Sequence, residues 1–287
     1  MPNYDSPYDS STAPKELKFV IYEKKGHVAY VTINRPEVRN ALHSYAYAEL
    51  RACWRDIGLD PNIYCGIVTG TGDAFCAGRD VKFLQQYQAE GKRTPHEDPN
   101  SPMFHWGGGG QPSDVNLEKP LIAAMNGFAV GVGLSLALQC QLRVMAEEAW
   151  IGDTHTKVGR LGAAHNLYTA LPRALAAYLT LCNGRLSAAE CLAHGIANKV
   201  VSRDKLIETA EQLAEMICGS SPLAVLGGGA ALPAHRGVPA PARRLRARPR
   251  PADRRERRWR RGSARLPRTP QAGVEDALRR RAMRSRR

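Results

Sequence analysis

Two short segments set the limits on what this chain folds into: AFCAGRDVK at 74–82 and KPLIAAMNGFAVGVGLSLAL at 119–138. Each reads as the end of a strand and the start of a helix, with glycine at the junction. A strand-to-helix turn leaves backbone N–H groups without intrahelical partners and aims them outward. Two such turns side by side direct two N–H donors at one oxygen. That geometry stabilises a developing oxyanion, and the main chain supplies it independently of side-chain identity.

The surrounding pattern predicts an alternation of strands and helices. Lys18–Glu23 and His27–Ile33 read as a β-hairpin about Lys25-Gly26, and Ala41–Trp54 as a helix. Tyr64–Thr69 is a short apolar strand leading into the first glycine turn, and Asp80 starts the next helix. Leu121–Met125 and Leu142–Ala146 are strands, with Leu134–Leu138 helical between them. Such alternation predicts an α/β fold with a parallel sheet. Leu206, Ile207, Ala210, Leu213, Ala214 and Ile217 form one apolar stripe in a helix over Asp204–Cys218, stopped by Gly219. The segment Gln86–Asn116 has no period and is long for a loop in a compact domain; a lid and a variable surface excursion both fit it.

The formal net charge of +14 points to nucleic acid or membranes until it is located. Residues 231–287 hold 20 arginines, no lysine and 4 acidic residues, so the first 230 are close to neutral. Lysine would satisfy a need for positive charge as well as arginine. A frameshift near codon 226 of a GC-rich gene explains the bias better than selection does. The rival is a basic arm binding nucleic acid through phosphate charge, with Trp259 as its one aromatic residue. Residues 1–16 are polar and predicted disordered, without a signal-peptide run. No stretch has the length of a membrane span. The 7 cysteines show no CxxC pair or zinc spacing and sit among apolar neighbours. A cytoplasmic protein without a metal site is the expectation.

The segments VAYVTINRPEVRNAL (28–42), AFCAGRDVK (74–82), KPLIAAMNG (119–127) and NGRLSAAECLAHGIANKVV (183–201) resemble the crotonase (enoyl-CoA hydratase/isomerase) family. The resemblance covers about residues 17–225 and implies a crotonase-like ββα spiral core as the catalytic domain, with 226–287 as a low-complexity tail. It implies an acyl-CoA thioester as substrate, no permanently bound cofactor, and a homotrimer or hexamer. In relatives the region after 225 closes over the acyl-CoA and builds the trimer, which makes the aberrant tail consequential.

The resemblance also assigns residues. The oxyanion donors are the backbone N–H groups of Arg79 and Val132, the latter at a position where the family usually has glycine. The two glutamates with which the family's hydratases activate water fall on Ser135 and His155. Serine needs an activator to act as a base, whereas histidine titrates near neutrality. His155 is therefore the candidate acid/base, Asp153 the group that orients it if the backbone folds back, and Ser135 a positioning group. A hydrogen-bonded structural histidine is the competing reading. Lys157-Val158-Gly159 is similar to a stretch of naphthoate synthases, but Arg160 and Gly162 replace the Ser and Asp found there. His165 and Tyr168 are acyl-pocket candidates on the following helix. Coenzyme A is assigned to Arg35, Arg39, Ala41, Asp80, Val81 and Lys82, with helix capping the stronger role for Asp80. The glycine-rich GFAVGVG lacks the context of a dinucleotide fingerprint. Three functions stay open: an acyl-CoA lyase or isomerase, a silent acyl-CoA-binding protein, and nucleic-acid binding through the tail.

Overall fold

The computed structural model describes residues 17–95, 98, 110–115, 117–158, 164–222 and 224–226. The N-terminal segment, residues 96–97, 99–109 and 116 of the stretch expected as a lid, Arg160, Gly162, the side chain of His165 and the tail from 227 lie outside the described residues.

The chain opens with β1 (Val20–Lys25), β2 (Val28–Ile33) and α1 (Ser44–Leu59), followed by β3 (Cys65–Gly70), β4 (Ala74–Cys76) and α2 (Val81–Ala89). Next come β5 (Leu121–Met125), β6 (Phe128–Val130), α3 (Val132–Gln139), β7 (Leu142–Ala146) and β8 (Trp150–Gly152). The last elements are α4 (Ala164–Ala170), α5 (Arg173–Cys182), β9 (Arg185–Ser187), α6 (Ala188–Ala193), β10 (Lys199–Val201) and α7 (Leu206–Cys218).

A six-stranded sheet runs β1-β2-β3-β5-β7-β10, antiparallel only at the β1–β2 hairpin. A four-stranded sheet runs β4-β6-β8-β9. Each turn of the spiral lays one strand in the large sheet and then a three-residue strand in the small one. In the first two turns, β3–β4–α2 and β5–β6–α3, a helix then starts. The ββα coil is thus present, with a detail that periodicity did not show. The strands expected to lead into the glycine turns end within one residue of the expected place, and β4 and β6 then carry the chain across to the second sheet before the turns.

Side chains of successive strand residues point to opposite faces, and the core follows that rule. In β5, Leu121, Ala123 and Met125 join the large cluster with Trp54, Phe75 and Leu134, while Ile122 and Ala124 join a separate cluster on the other face. Burial on both faces explains why LIAAM is uninterruptedly apolar. The second cluster is covered by α7 through Leu206, Ala210 and Ala214.

Three features differ from the sequence expectation. The first helix begins at Ser44 and not Ala41, because Leu42 is held extended beside the first glycine turn: Leu42 N–H donates to Gly78 O (2.7 Å) and Asp80 N–H to Leu42 O (2.9 Å). His43 then caps α1, its Nδ1 accepting from Ala46 N–H at 3.0 Å. In α7, Ile207 is exposed and not part of the buried stripe. Gly219 follows that helix with φ −73°, so it does not supply a left-handed cap.

Candidate active site

The first turn is built by two buried asparagines. Arg39 and Asn40 both have left-handed φ (54° and 58°), a region Asn tolerates. That conformation drives the Asn40 carboxamide inward. Its Nδ2 donates to Thr71 O (2.8 Å) and Ala74 O (2.7 Å), and its Oδ1 accepts from Arg35 N–H (2.9 Å). Asn126 braces the same corner from β5: Nδ2 donates to Gly72 O and Ala74 O, and Oδ1 accepts from Gly70 N–H. Beyond β4 the chain turns at Gly78, whose φ of +92° suits glycine. A Cβ there would lie 2.7 Å from Val130 O and 3.4 Å from Val132 N, so the two glycine turns are in direct contact.

The bridge between Leu42 and Arg79 fixes the direction of the first candidate donor. Gly78 O and Asp80 N–H bond to Leu42, so the N–H of Arg79 between them points away from Leu42. The second candidate, Val132 N–H, belongs to the first turn of α3, where no i−4 carbonyl within the helix is available. The first helical bond is from Ser135 N–H to Gly131 O at 3.0 Å. Ser135 is buried one helical turn beyond Val132, on the same side of α3.

The third element follows β8. Val130 pairs with Gly152 and Gly131 N–H donates to Gly152 O (3.3 Å), which sets the next residues beside the start of α3. The strand stops at Gly152, so Asp153 and His155 meet through a turn and not by sharing a strand face. Asp153 Oδ1 accepts from His155 N–H (3.2 Å) and lies 2.5 Å from His155 Nδ1. A carboxylate accepts hydrogen bonds, so Nδ1 carries a proton and Nε2 keeps a basic lone pair in the neutral ring. Asp153 is 1 % exposed, its Oδ2 has no hydrogen-bond partner among the described residues, and the imidazole is 20 % exposed. The ring rests on Gly131: a Cβ built there would stand 3.3 Å from His155 Cε1 and 3.8 Å from Nε2. Thr156 anchors the turn from the other side, its hydroxyl within hydrogen-bond distance of Thr180 O (2.9 Å) and Asn183 Oδ1 (3.0 Å) at the end of α5.

The structure therefore gathers Gly78, Val132, Asp153 and His155, with Ser135 on the adjoining helical turn. The residues assigned to coenzyme A divide into two groups. Asp80 caps α2 through Phe83 N–H (3.0 Å) and pairs with Arg35 Nη2 (3.0 Å), both residues being buried. Arg35 also bonds the carbonyl of Ala41. These three form an internal brace. Arg39, Val81 and Lys82 are exposed. Tyr168 on α4 is 42 % exposed. Among the described residues no group of three or more His, Cys, Asp or Glu could hold a metal ion, and no helix is long and apolar enough to cross a membrane.

Sequence reasoning missed Gly131 and Thr156 as neighbours that fix His155, and Asn126 as the brace of the first turn. Asn126-Gly127 was visible as a turn signal, but its hydrogen bonds depend on contact with β3 and β4.

Comparison with known proteins agrees with this architecture. The family model described as enoyl-CoA hydratase/isomerase matches residues 23–234. The chain is 36 % identical over 210 residues to (E)-benzylidenesuccinyl-CoA hydratase of Thauera aromatica, covering 72 % of this chain and 78 % of that protein. It is 34 % identical over 215 residues to the short-chain-enoyl-CoA hydratase of Clostridium acetobutylicum, covering 73 % and 79 %. The crystal structure of an enoyl-CoA hydratase from Mycobacterium marinum superposes with a TM-score of 0.66 at 29 % identity, covering 79 % of this chain and 86 % of that one. The chain belongs to the enoyl-CoA hydratase/isomerase family.

Proposed function

We propose that the chain is an acyl-CoA-processing enzyme of hydratase/isomerase type in which His155, oriented by Asp153, replaces the paired carboxylates as acid/base. The thioester carbonyl sits between the N–H groups of Arg79 and Val132. For an enoyl thioester, Nε2 of His155 takes a proton from water as the water oxygen bonds to the β-carbon. The π electrons move toward the thioester, and the two amides stabilise the enolate oxygen. Return of a proton to the α-carbon completes hydration. In an isomerase the same nitrogen would move a proton between carbons. Ser135 positions water or substrate. The observation that carries this reading is the Asp153–His155 pair lying against Gly131, one residue before Val132.

Coenzyme A is the carrier half of the thioester substrate, retained in the product, and not a resident cofactor. Arg39 and Lys82, exposed near the first turn, are suited to its phosphates. A cytoplasmic homotrimer or hexamer built on the 17–225 domain completes the proposal, with 226–287 as a frameshift product. Re-reading the gene around codon 226 tests that last element: an uninterrupted frame overturns it.

The functional test is incubation of folded protein with crotonyl-CoA, followed by mass spectrometry of the thioester. Gain of one water is the expected result, and His155→Ala should reduce the rate about 10²–10⁴-fold with binding retained. Binding without any change rejects hydration of this substrate. Equal turnover by His155→Ala removes the histidine from the chemistry.

A further inference from the structure

Two thiols stand close together on the face of the large sheet that α7 covers. Cys65 opens β3 and Cys218 closes α7, with their Sγ atoms 3.9 Å apart. Both are free; Cys65 is buried and Cys218 half-buried. Other cysteine sulfurs face the main chain: Cys140 the carbonyl of Leu136, Cys191 that of Leu186, Cys76 the N–H of Gly78. Beside the pair is a mostly apolar cavity of 340 Å³ whose walls include Ile63, Tyr64, Ile217, Pro222 and Val225. Tyr64 and Ile217 immediately precede the two cysteines. Neither cysteine lines that cavity, and a small reagent reaches the pair through the half-buried Cys218.

We propose that Cys65 and Cys218 form a redox modification site, at which a small-molecule disulfide of the glutathione type installs an intramolecular disulfide that ties α7 to β3. Burial pushes the Cys65 thiol far above the usual range, so the more accessible Cys218 reacts first. Its thiolate attacks the reagent, forming a mixed disulfide and releasing one thiolate. Cys65 sulfur then attacks the Cys218 sulfur, its proton passing to the second departing thiolate. Two protein thiols are oxidised and one reagent disulfide is reduced to two thiols. Closure from 3.9 Å to a bond of about 2 Å is absorbed at the last turn of α7, where Gly219 follows. The cross-link spans most of the domain, and a bond closing so long a loop restricts the unfolded chain strongly.

The experiment uses the full chain carrying Cys182→Ser, which removes an exposed competing thiol. After treatment with oxidised glutathione, intact mass should fall by two hydrogens, and non-reducing peptide mapping should join Cys65 to Cys218. Tm should rise by about 5–10 °C and return with dithiothreitol. Adding Cys218→Ser should abolish both the cross-link and the rise. A glutathione adduct persisting on Cys218, a cross-link that forms only in urea, or a cross-link without a rise in Tm each overturns the proposal. Reversal by reductant within the one protein keeps the result independent of how well the second variant folds.

Discussion

The carboxamides of Asn40 and Asn126 converge on a single acceptor, the carbonyl oxygen of Ala74, at 2.7 and 3.1 Å. One comes from the loop before α1 and the other from the end of β5, so the entry to the first glycine turn is held from two sides. Ala74 begins the strand that delivers Gly78 and Arg79.

Asn126→Ala removes donors to Gly72 O and Ala74 O and the acceptor for Gly70 N–H. We expect a loss of about 2–3 kcal/mol in urea unfolding. The Asn40→Ala, Asn126→Ala double variant should lose more than the two single losses added together. Only the double leaves Ala74 O without either donor, and neighbours that share a partner are non-additive. Simple additivity would show that the shared carbonyl carries no coupling.

Gly131→Ala adds a methyl 3.3 Å from His155 Cε1 at a residue with φ +57°. The backbone strain should cost about 1–3 kcal/mol of stability. Turnover should fall about 10²-fold, since displacing a reacting group by an ångström has that scale of effect. Full activity in a destabilised protein would mean that the imbalance at Gly131 never reaches the imidazole.

In the proposed mechanism Thr156 reaches the chemistry through the turn that carries His155, which makes it a positioning residue. Thr156→Val should lower kcat several-fold with KM little changed, and Thr156→Ser should restore it by keeping the hydroxyl that reaches Thr180 and Asn183. Full kcat in Thr156→Val with a loss in Thr156→Ser would point to the methyl group and packing instead.

His43 makes stability pH-dependent. Burial, then the nearby Arg35 charge, lowers its pKa, with Asp80 and Glu37 opposing. The folded protein therefore prefers neutral His43. Its contribution is complete above the ordinary histidine value of about 6.5 and is lost as pH falls through the lowered folded value. Protonation also takes away the Nδ1 lone pair that caps Ala46 N–H. Urea midpoints should drop on acidification by the equivalent of about 1 kcal/mol, and His43→Asn, which keeps a capping oxygen, should flatten that slope. An unchanged slope assigns the acid sensitivity elsewhere.

Local signals carried much of this fold. The hairpin, the α7 helix and the capping role of Asp80 follow from neighbours in sequence, and the order of the family segments fixed the spiral. Strands of three residues such as β4 and β6 are too short to show a period, so the crossing to a second sheet was hidden. Arg35 illustrates the same limit: a loop arginine reads as solvated or phosphate-facing, yet here it is buried against Asp80 and Ala41. Asp153 and His155 were legible as a pair through their spacing. Their support by Gly131 and Thr156 depends on β6 and α5, which only the assembled chain brings near.

The small core beneath α7 has an energetic meaning of its own. Val28, Cys65, Ile67, Ile122, Ala124 and Val144 share it with one face of that helix, on the far side of the sheet from the main cluster. A cooperative unit this small opens at a lower free energy than the whole domain. The amides of α7 would then exchange with solvent hydrogen well before those of β3 and β5. The domain would breathe at its back while the glycine turns at its front stay closed.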